Sequence, residues 1–378
     1  EDADSEGEEG KFYVWTLDEI EQVLPPADAK LAIALFNISK EGNYLVEATQ
    51  ERNGTNILHL RGGLTELAAQ HDMDEAELAE RLQQIRQKLF EARAPRVHPF
   101  KDTKILTDWN GLMLAALALA GRAFGSERYL NAAANCAHFI RTHLTTATGL
   151  LKRWREGEAA LPAQLDDYAF LIWGLIELHA ATQEVKYLAW ALELQTTMLS
   201  NYWDKEHSGF FLTASNAEQL IMRPKEIYDG AIPSGNSVAA LNSLRLARLT
   251  GKAELEEYAP RTLQAFAGQI AKNPAAYSFA LTALDFALGP THEVVIVGEP
   301  TASDTNTMLQ AIHTRFLPHV VLLLCCPEQP EKQDAIVKLA PFVQGLTAKN
   351  QQATAYVCSN FACQTPTNSV QELLAALR

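Results

Sequence analysis

Thr107-Asp108-Trp109-Asn110-Gly111-Leu112-Met113-Leu114-Ala115-Ala116-Leu117-Ala118-Leu119-Ala120-Gly121-Arg122-Ala123-Phe124 decides the fold class. Leucine and alanine leave it apolar nearly all round, the pattern of a buried helix. Gly125-Ser126 ends it, because glycine accepts the left-handed turn at a helix C-cap, and a second helix is predicted over 127–144. The pattern recurs twice. Helices over 165–182 and 185–202 are joined by Gln183-Glu184, and helices over 234–249 and 253–271 by Gly251-Lys252. First helices therefore start near 107, 165 and 233, a period of roughly sixty residues that indicates stacked helical hairpins. Shorter helices are expected over 16–24, 27–37, 64–71, 75–92 and 275–288.

The connections are unequal. Turns within hairpins are tight, whereas those between hairpins, about 145–164 and 203–232, are long. Each long connection carries a short apolar strand after a glycine: Gly149-Leu150-Leu151-Lys152-Arg153-Trp154 and Gly209-Phe210-Phe211-Leu212. Gly10-Lys11-Phe12-Tyr13-Val14-Trp15 and Gly42-Asn43-Tyr44-Leu45-Val46 have the same form. If the hairpins stack as a ring, their first helices run parallel and the long loops share one rim. Long loops in a compact domain are usually functional.

The last part changes character. His292-Glu293-Val294-Val295-Ile296-Val297-Gly298 and Val320-Val321-Leu322-Leu323-Leu324 read as buried strands, with a third over 353–358. Helices are expected over 303–316, 332–340 and 369–377. Continuous aliphatic runs alternating with helices predict parallel strands. The expected division is a mainly α, partial (α/α)6 toroid over 1–290 and a small three-stranded α/β lobe over 291–378. Gly298 is not followed by the further glycines of a dinucleotide fingerprint.

Bulk properties exclude several classes. There are 32 Lys+Arg against 46 Asp+Glu, a formal charge of −14, which disfavours nucleic acid and anionic membrane surfaces as partners. No apolar run approaches the ~20 residues of a membrane span, and the first residues are acidic rather than signal-like. Five cysteines suggest reduced thiols and a cytoplasmic setting. The acidic start, running straight into Phe12-Tyr13-Val14-Trp15, reads as a cut through a longer protein. With upstream helices missing, the ring is expected to be open, with apolar faces exposed near Leu112–Leu119 and Leu281–Leu288.

The candidate chemistry lies at the starts of the first helices. Asp108, Asp166, Asp167 and Asp229 are each ordinary helix-capping residues when taken singly. Taken together on one rim, beside Trp109, Asn110, Tyr168 and Asn236, they resemble what glycoside chemistry needs. One protonated acid assists departure, a second carboxylate serves as base or nucleophile, and aromatic faces hold the sugar. The long connections add Arg153 and Trp154, then Arg223 and Glu226, where arginines suit an anionic sugar. No cofactor is indicated. No metal motif is present, and Cys358 and Cys363 alone make a weak zinc signal.

Several long motifs resemble one family: residues 2–16, Asp102-Thr103-Lys104-Ile105-Leu106-Thr107-Asp108-Trp109-Asn110-Gly111, Leu165-Asp166-Asp167-Tyr168-Ala169, Asp229-Gly230-Ala231-Ile232-Pro233-Ser234-Gly235-Asn236-Ser237, and the segment from Tyr356 to Cys363. It is the spermatogenesis-associated, thioredoxin-domain-containing family. The resemblance spans essentially the whole chain. It implies a six-hairpin glycosidase-like barrel with a loose link to carbohydrate metabolism, preceded in the family by a thioredoxin-like domain that is expected to lie outside these 378 residues. It implies no catalytic assignment. Two functions follow as expectations. The first is a carbohydrate-active barrel, hydrolase- or epimerase-like, on a small or anionic sugar. The second is a non-catalytic scaffold binding sugar or protein, partnered by the upstream thioredoxin-like domain.

Overall fold

The computed structural model describes residues 1–46, 49–218, 221–359 and 362–377. The chain forms two compact units, Glu1–Thr103 and Lys104–Arg378.

Among the described residues, the first unit holds two short antiparallel ribbons and four helices. Strands β1 (Asp4–Ser5) and β2 (Glu8–Glu9) pair, as do β3 (Trp15–Thr16) and β4 (Thr55–Asn56). Helix α1 (Leu17–Val23) starts on a capping box, in which Thr16 and Glu19 satisfy each other's backbone N–H groups. Helices α2 (Pro26–Leu35), α3 (Leu64–Gln70) and α4 (Glu75–Arg93) follow. Leu78, Leu82, Ile85 and Leu89 recur along one face of α4 and share a core with Ile20, Leu31, Leu35 and Leu67. Of the two glycine-led segments expected here as strands, 10–15 contributes only Trp15 to a strand, and 42–46 contributes none.

The second unit is mainly α. Strand β5 (Ile105–Leu106) leads into α5 (Thr107–Phe124), followed by α6 (Glu127–His143), β6 (Thr145–Thr146), β7 (Gly149–Arg155) and β8 (Glu158–Pro162). Then come α7 (Leu165–Thr182), α8 (Val185–Tyr202), α9 (Gly235–Thr250), α10 (Tyr258–Lys272) and α11 (Ser278–Leu288). The helix ends follow their sequence signals. Gly125, Gln183 and Gly251 adopt the left-handed conformation at the ends of α5, α7 and α9. Helices α5, α7, α9 and α11 pack side by side in that order, each of the first three backed by its hairpin partner α6, α8 or α10. This is an arc of (α/α) hairpins.

Helices α7 and α9 are buried on nearly all faces, having a neighbour on each side. Helix α5 corrects the expectation of burial all round, and it leaves apolar surface uncovered where exposure is expected near Leu112–Leu119. It buries only the stripe Thr107, Asp108, Gly111, Leu114, Ala115, Ala118 and Gly121, leaving Met113 and Phe124 exposed, because α7 is the one inner helix beside it. At the other end of the arc, an apolar groove of about 740 Å3 between α10 and α11 is lined by Leu263, Ala267, Ile270, Leu281, Leu284 and Leu288.

Of the two strands expected in the long connections, β7 forms and pairs with β5, β6 and β8. Residues 209–212 make only an isolated bridge, Phe210 to Trp203. The reason is local: β7 has partners on both edges, whereas the Phe210 N–H donates to Asn236 Oδ1 and the Phe210 carbonyl accepts from Asn236 Nδ2.

Strands β9 (His292–Val297), β10 (Val320–Cys325), β11 (Thr354–Ser359) and β12 (Ala362–Cys363) form a sheet in the order β10-β9-β11-β12, with helices α12 (Ser303–His313), α13 (Pro330–Leu339) and α14 (Val370–Ala375) around it. Two corrections arise. Only β9 and β10 are parallel, since β11 runs antiparallel to β9. A buried aliphatic strand reads the same in either direction, so composition does not set its sense. The β11–β12 pairing also places Cys358 opposite Cys363, and the two form a disulfide, while Cys136, Cys325 and Cys326 stay free. Among the described residues, no helix is long and apolar enough to cross a membrane.

Candidate functional site

The first turns of the four inner helices are tied to one another by aspartates. The Asp108 N–H, in the first turn of α5, donates to Asp167 Oδ1 of α7 at 3.0 Å. The Gly235 N–H, at the start of α9, donates to Asp166 of α7. Asp229 Oδ1 accepts from Ser234, the N-cap of α9, and its Oδ2 accepts from Phe279 and Ala280 in the first turn of α11. Each carboxylate thus meets unsatisfied N–H groups at the positive end of a helix dipole, where negative charge is favoured. The same links show that the N-termini of α5, α7, α9 and α11 share one rim.

Around Asp167 the rim becomes a charged cluster. Lys152, from β7, lies 2.9 Å from Asp108 Oδ2 and 3.4 Å from Asp167 Oδ2. Asp167 Oδ2 also accepts the Gln164 N–H at 2.7 Å. Burial pushes the Asp167 carboxyl up to about 7, assisted by the Asp108 charge and opposed by Lys152 and the two backbone N–H groups. Asp166 is half-buried. Burial pushes it up to about 6, and the Asp108 and Glu226 charges act in the same direction. Lys152 is raised: burial opposes its charge, but Asp167 and Asp108 outweigh that.

Other predicted residues fall into two groups. Trp109 projects from the first turn of α5 with 62% of its surface exposed, and Glu226 is exposed near Asp166. The rest are committed to the scaffold. Asn110 donates to the Leu106 carbonyl, and the Tyr168 hydroxyl accepts the Leu150 N–H while its ring packs on Tyr202. Asn236 clamps Phe210 and the Glu226 carbonyl. Arg223 donates to the Asn201 and Thr213 carbonyls and lies over the Phe211 ring. Trp154 packs on Phe139 and His143, and the Nε of Arg153 is buried without a hydrogen-bond partner. Asp229, with three backbone donors, is likewise a cap.

Lys152 is absent from the residues that sequence reasoning points to. Its strand also carries Arg153 and Arg155, so the sequence holds no signal that sets Lys152 apart from its basic neighbours. Gly235 has a comparable role: a Cβ there would stand 2.2 Å from Asp166 Oδ1 and displace it. Among the described residues, no group of three or more His, Cys, Asp or Glu is placed to hold a metal ion.

The raised Asp166 value has a measurable consequence. A carboxyl whose folded pKa exceeds its unfolded value contributes stability below the unfolded value and loses it as pH rises through the folded one. Asp166→Asn keeps an acceptor for Gly235 and removes the charge. The variant is therefore expected to be more stable than the native chain at pH 7–8, by about 1–3 kcal/mol, and to melt higher, with the difference vanishing below about pH 4. Thermal melts across pH 3.5–8 check this, and equal melting at pH 8 would refute it.

No family model matches the chain. Among solved structures, a cellobiose 2-epimerase from Bacillus thermoamylovorans aligns with 17% identity over 45% of this chain and 46% of that one, at a TM-score of 0.39. An alpha-mannanase from Bacteroides thetaiotaomicron aligns with 18% identity over 57% of each chain, at 0.41. Likenesses this distant carry no argument about the reaction. The sequence relatives are nearer. Spermatogenesis-associated protein 20 of Homo sapiens is 34% identical over 99% of this chain and 51% of its own length. The Rattus norvegicus protein of that name is 33% identical over 99% and 50%. An uncharacterized Caenorhabditis elegans protein is 28% identical over 97% and 51%. The chain is thus similar along 99% of its length to spermatogenesis-associated protein 20, and it spans about half the length of that relative.

Proposed function

We propose that the rim formed by α5, α7 and α9 is a carbohydrate-active site, with Asp166 as its proton-carrying group. One observation carries this reading. Asp166 is a partly accessible carboxyl raised to about 6, beside a second carboxyl raised to about 7 and an Asp108–Lys152 pair. An acid that titrates near neutrality can both give and take a proton at working pH. The exposed Trp109 supplies a ring face for a sugar, and Lys152 steadies negative charge on Asp167 and Asp108. In this assignment Asp166 protonates the departing oxygen. Asp108 or Asp167 is the second carboxylate, and Asp229 acts only as a cap.

A non-catalytic scaffold is the second reading. It is favoured by the commitment of Asp167 and Asp229 to backbone N–H groups, which makes the rim acids structural ties. Turnover of a panel of neutral and acidic glycosides separates the two. The catalytic reading expects hydrolysis or epimerisation of at least one member, with Asp166→Asn lowering kcat at least a hundredfold while the fold is kept. An Asp166→Asn protein that retains the native rate removes Asp166 from the chemistry. A folded chain that turns over nothing supports the scaffold.

A further inference from the structure

The far ends of the inner helices enclose a second feature, about 20 Å down α5 from the rim at ~1.5 Å per residue. A cavity of about 540 Å3 lies between the C-terminal half of α5, the middle of α7 and α9, α11, and the loop that joins α12 to β10. That is the size range of small-molecule pockets. Its walls include Trp173 and Phe279, whose rings meet edge to face at 4.9 Å. Phe316, 93% exposed, also lines it.

The charges in this cavity do not balance locally. Glu177 is buried and takes Arg245 on Oε1 and Arg122 on Oε2, the latter at 3.3 Å. The Trp173 indole N–H also donates to Oε1. One carboxylate therefore serves two guanidiniums with side-chain exposures of 25% and 11%. The other titratable groups lining the cavity are Arg315, Asp285, His313 and His319. Arg315 donates to the Ala311 carbonyl, and Asp285 is exposed and paired with His319. Burial holds His313 down to about 4, so it is neutral at pH 7 and offers no compensation. Among the described residues, the net charge on the lining side chains is positive. A guanidinium carries five N–H donors in a fixed fork that matches an oxyanion, and the contacts of Arg122 and Arg245 with Glu177 leave most of those donors unused.

We propose that this cavity binds a small organic acid, its oxyanion seated on Arg122 and Arg245 and its apolar body against Trp173 and Phe279. An excess positive charge next to apolar walls is costly when empty and is neutralised by a bound anion. The site needs no participation from the rim and stands or falls independently of the reaction proposed there.

Calorimetric titration of the 378-residue chain tests the proposal, with 3-phenylpropionate, its uncharged amide and phenyl phosphate as probes. Saturable binding of either acid, at least tenfold tighter than the amide, is expected, and the stronger of the two acids identifies the preferred head group. Arg122→Gln keeps the Arg245–Glu177 pair and should lose at least tenfold in affinity. Arg122→Lys, which keeps the charge but not the fork, should fall between. Equal affinity for acid and amide overturns the proposal, as does native affinity in both Arg122 variants, or no binding of either acid at millimolar concentration.

Discussion

Replacing Glu177 by Leu is expected to destabilise the chain by about 3–5 kcal/mol, the cost of breaking a buried ion pair by removing one partner. Glu177 holds both Arg245 and Arg122, and the substitution strands two guanidiniums between α5, α7 and α9. Burial pushes the Glu177 carboxyl up, but Arg245 and Arg122 outweigh that and hold it below the usual carboxylate range. Its contribution is therefore present above the unfolded carboxylate pKa and is lost as pH falls through the lower, folded value. Chemical denaturation at pH 7 and pH 3 checks both parts. The loss should be full at pH 7 and smaller at pH 3, and Glu177→Gln, which can still accept from Trp173 and Arg245, should be milder. Native stability of Glu177→Leu at pH 7 would show that the arginines find other partners.

Gly111→Ala is expected to cost about 3 kcal/mol, the upper part of the range for overpacking. A Cβ at Gly111 would stand 2.6 Å from the Leu171 nitrogen and 2.6 Å from the Phe170 carbonyl carbon. These are backbone atoms of α7, so no side-chain rotation relieves the clash. Gly174 faces the same crossing, where an added Cβ would meet the Gly111 oxygen at 2.8 Å. The two glycines let α5 and α7 approach backbone to backbone, and that approach brings the Asp108 N–H to Asp167. If the rim is catalytic as proposed, the variant should therefore lose turnover as well as stability. Melting and turnover measured on the same preparation check the pair of effects. A variant that melts like the native chain would mean that α5 shifts freely, and that the rim does not depend on this crossing.

Much of the second unit was legible because its signals are local. Apolar runs bounded by Gly125, Gln183 and Gly251 fix α5, α7 and α9 nearly to the residue, since a left-handed cap acts on the turn it ends. The recurrence of hairpins separated by long loops foretold parallel inner helices with their N-termini on one rim. The lobe was less legible. The direction of β11 and the pairing of Cys358 with Cys363 depend on which strand lies alongside, which aliphatic composition does not encode.

At the site the division is sharper. Aspartates at the starts of first helices are readable from the amino-acid order alone, because short-range capping preferences place them there. What each one does depends on the packing of distant segments. Asp229 became a cap for its neighbours, Asp167 a buried tie, and Asp166 a half-open acid. Lys152 entered the cluster from β7, and two arginines converged on Glu177 from helices far apart in the chain. The reason is physical. Capping depends on backbone a few residues away. The charge state of a carboxyl depends on desolvation and on ions brought close by packing, and residues distant in sequence set both.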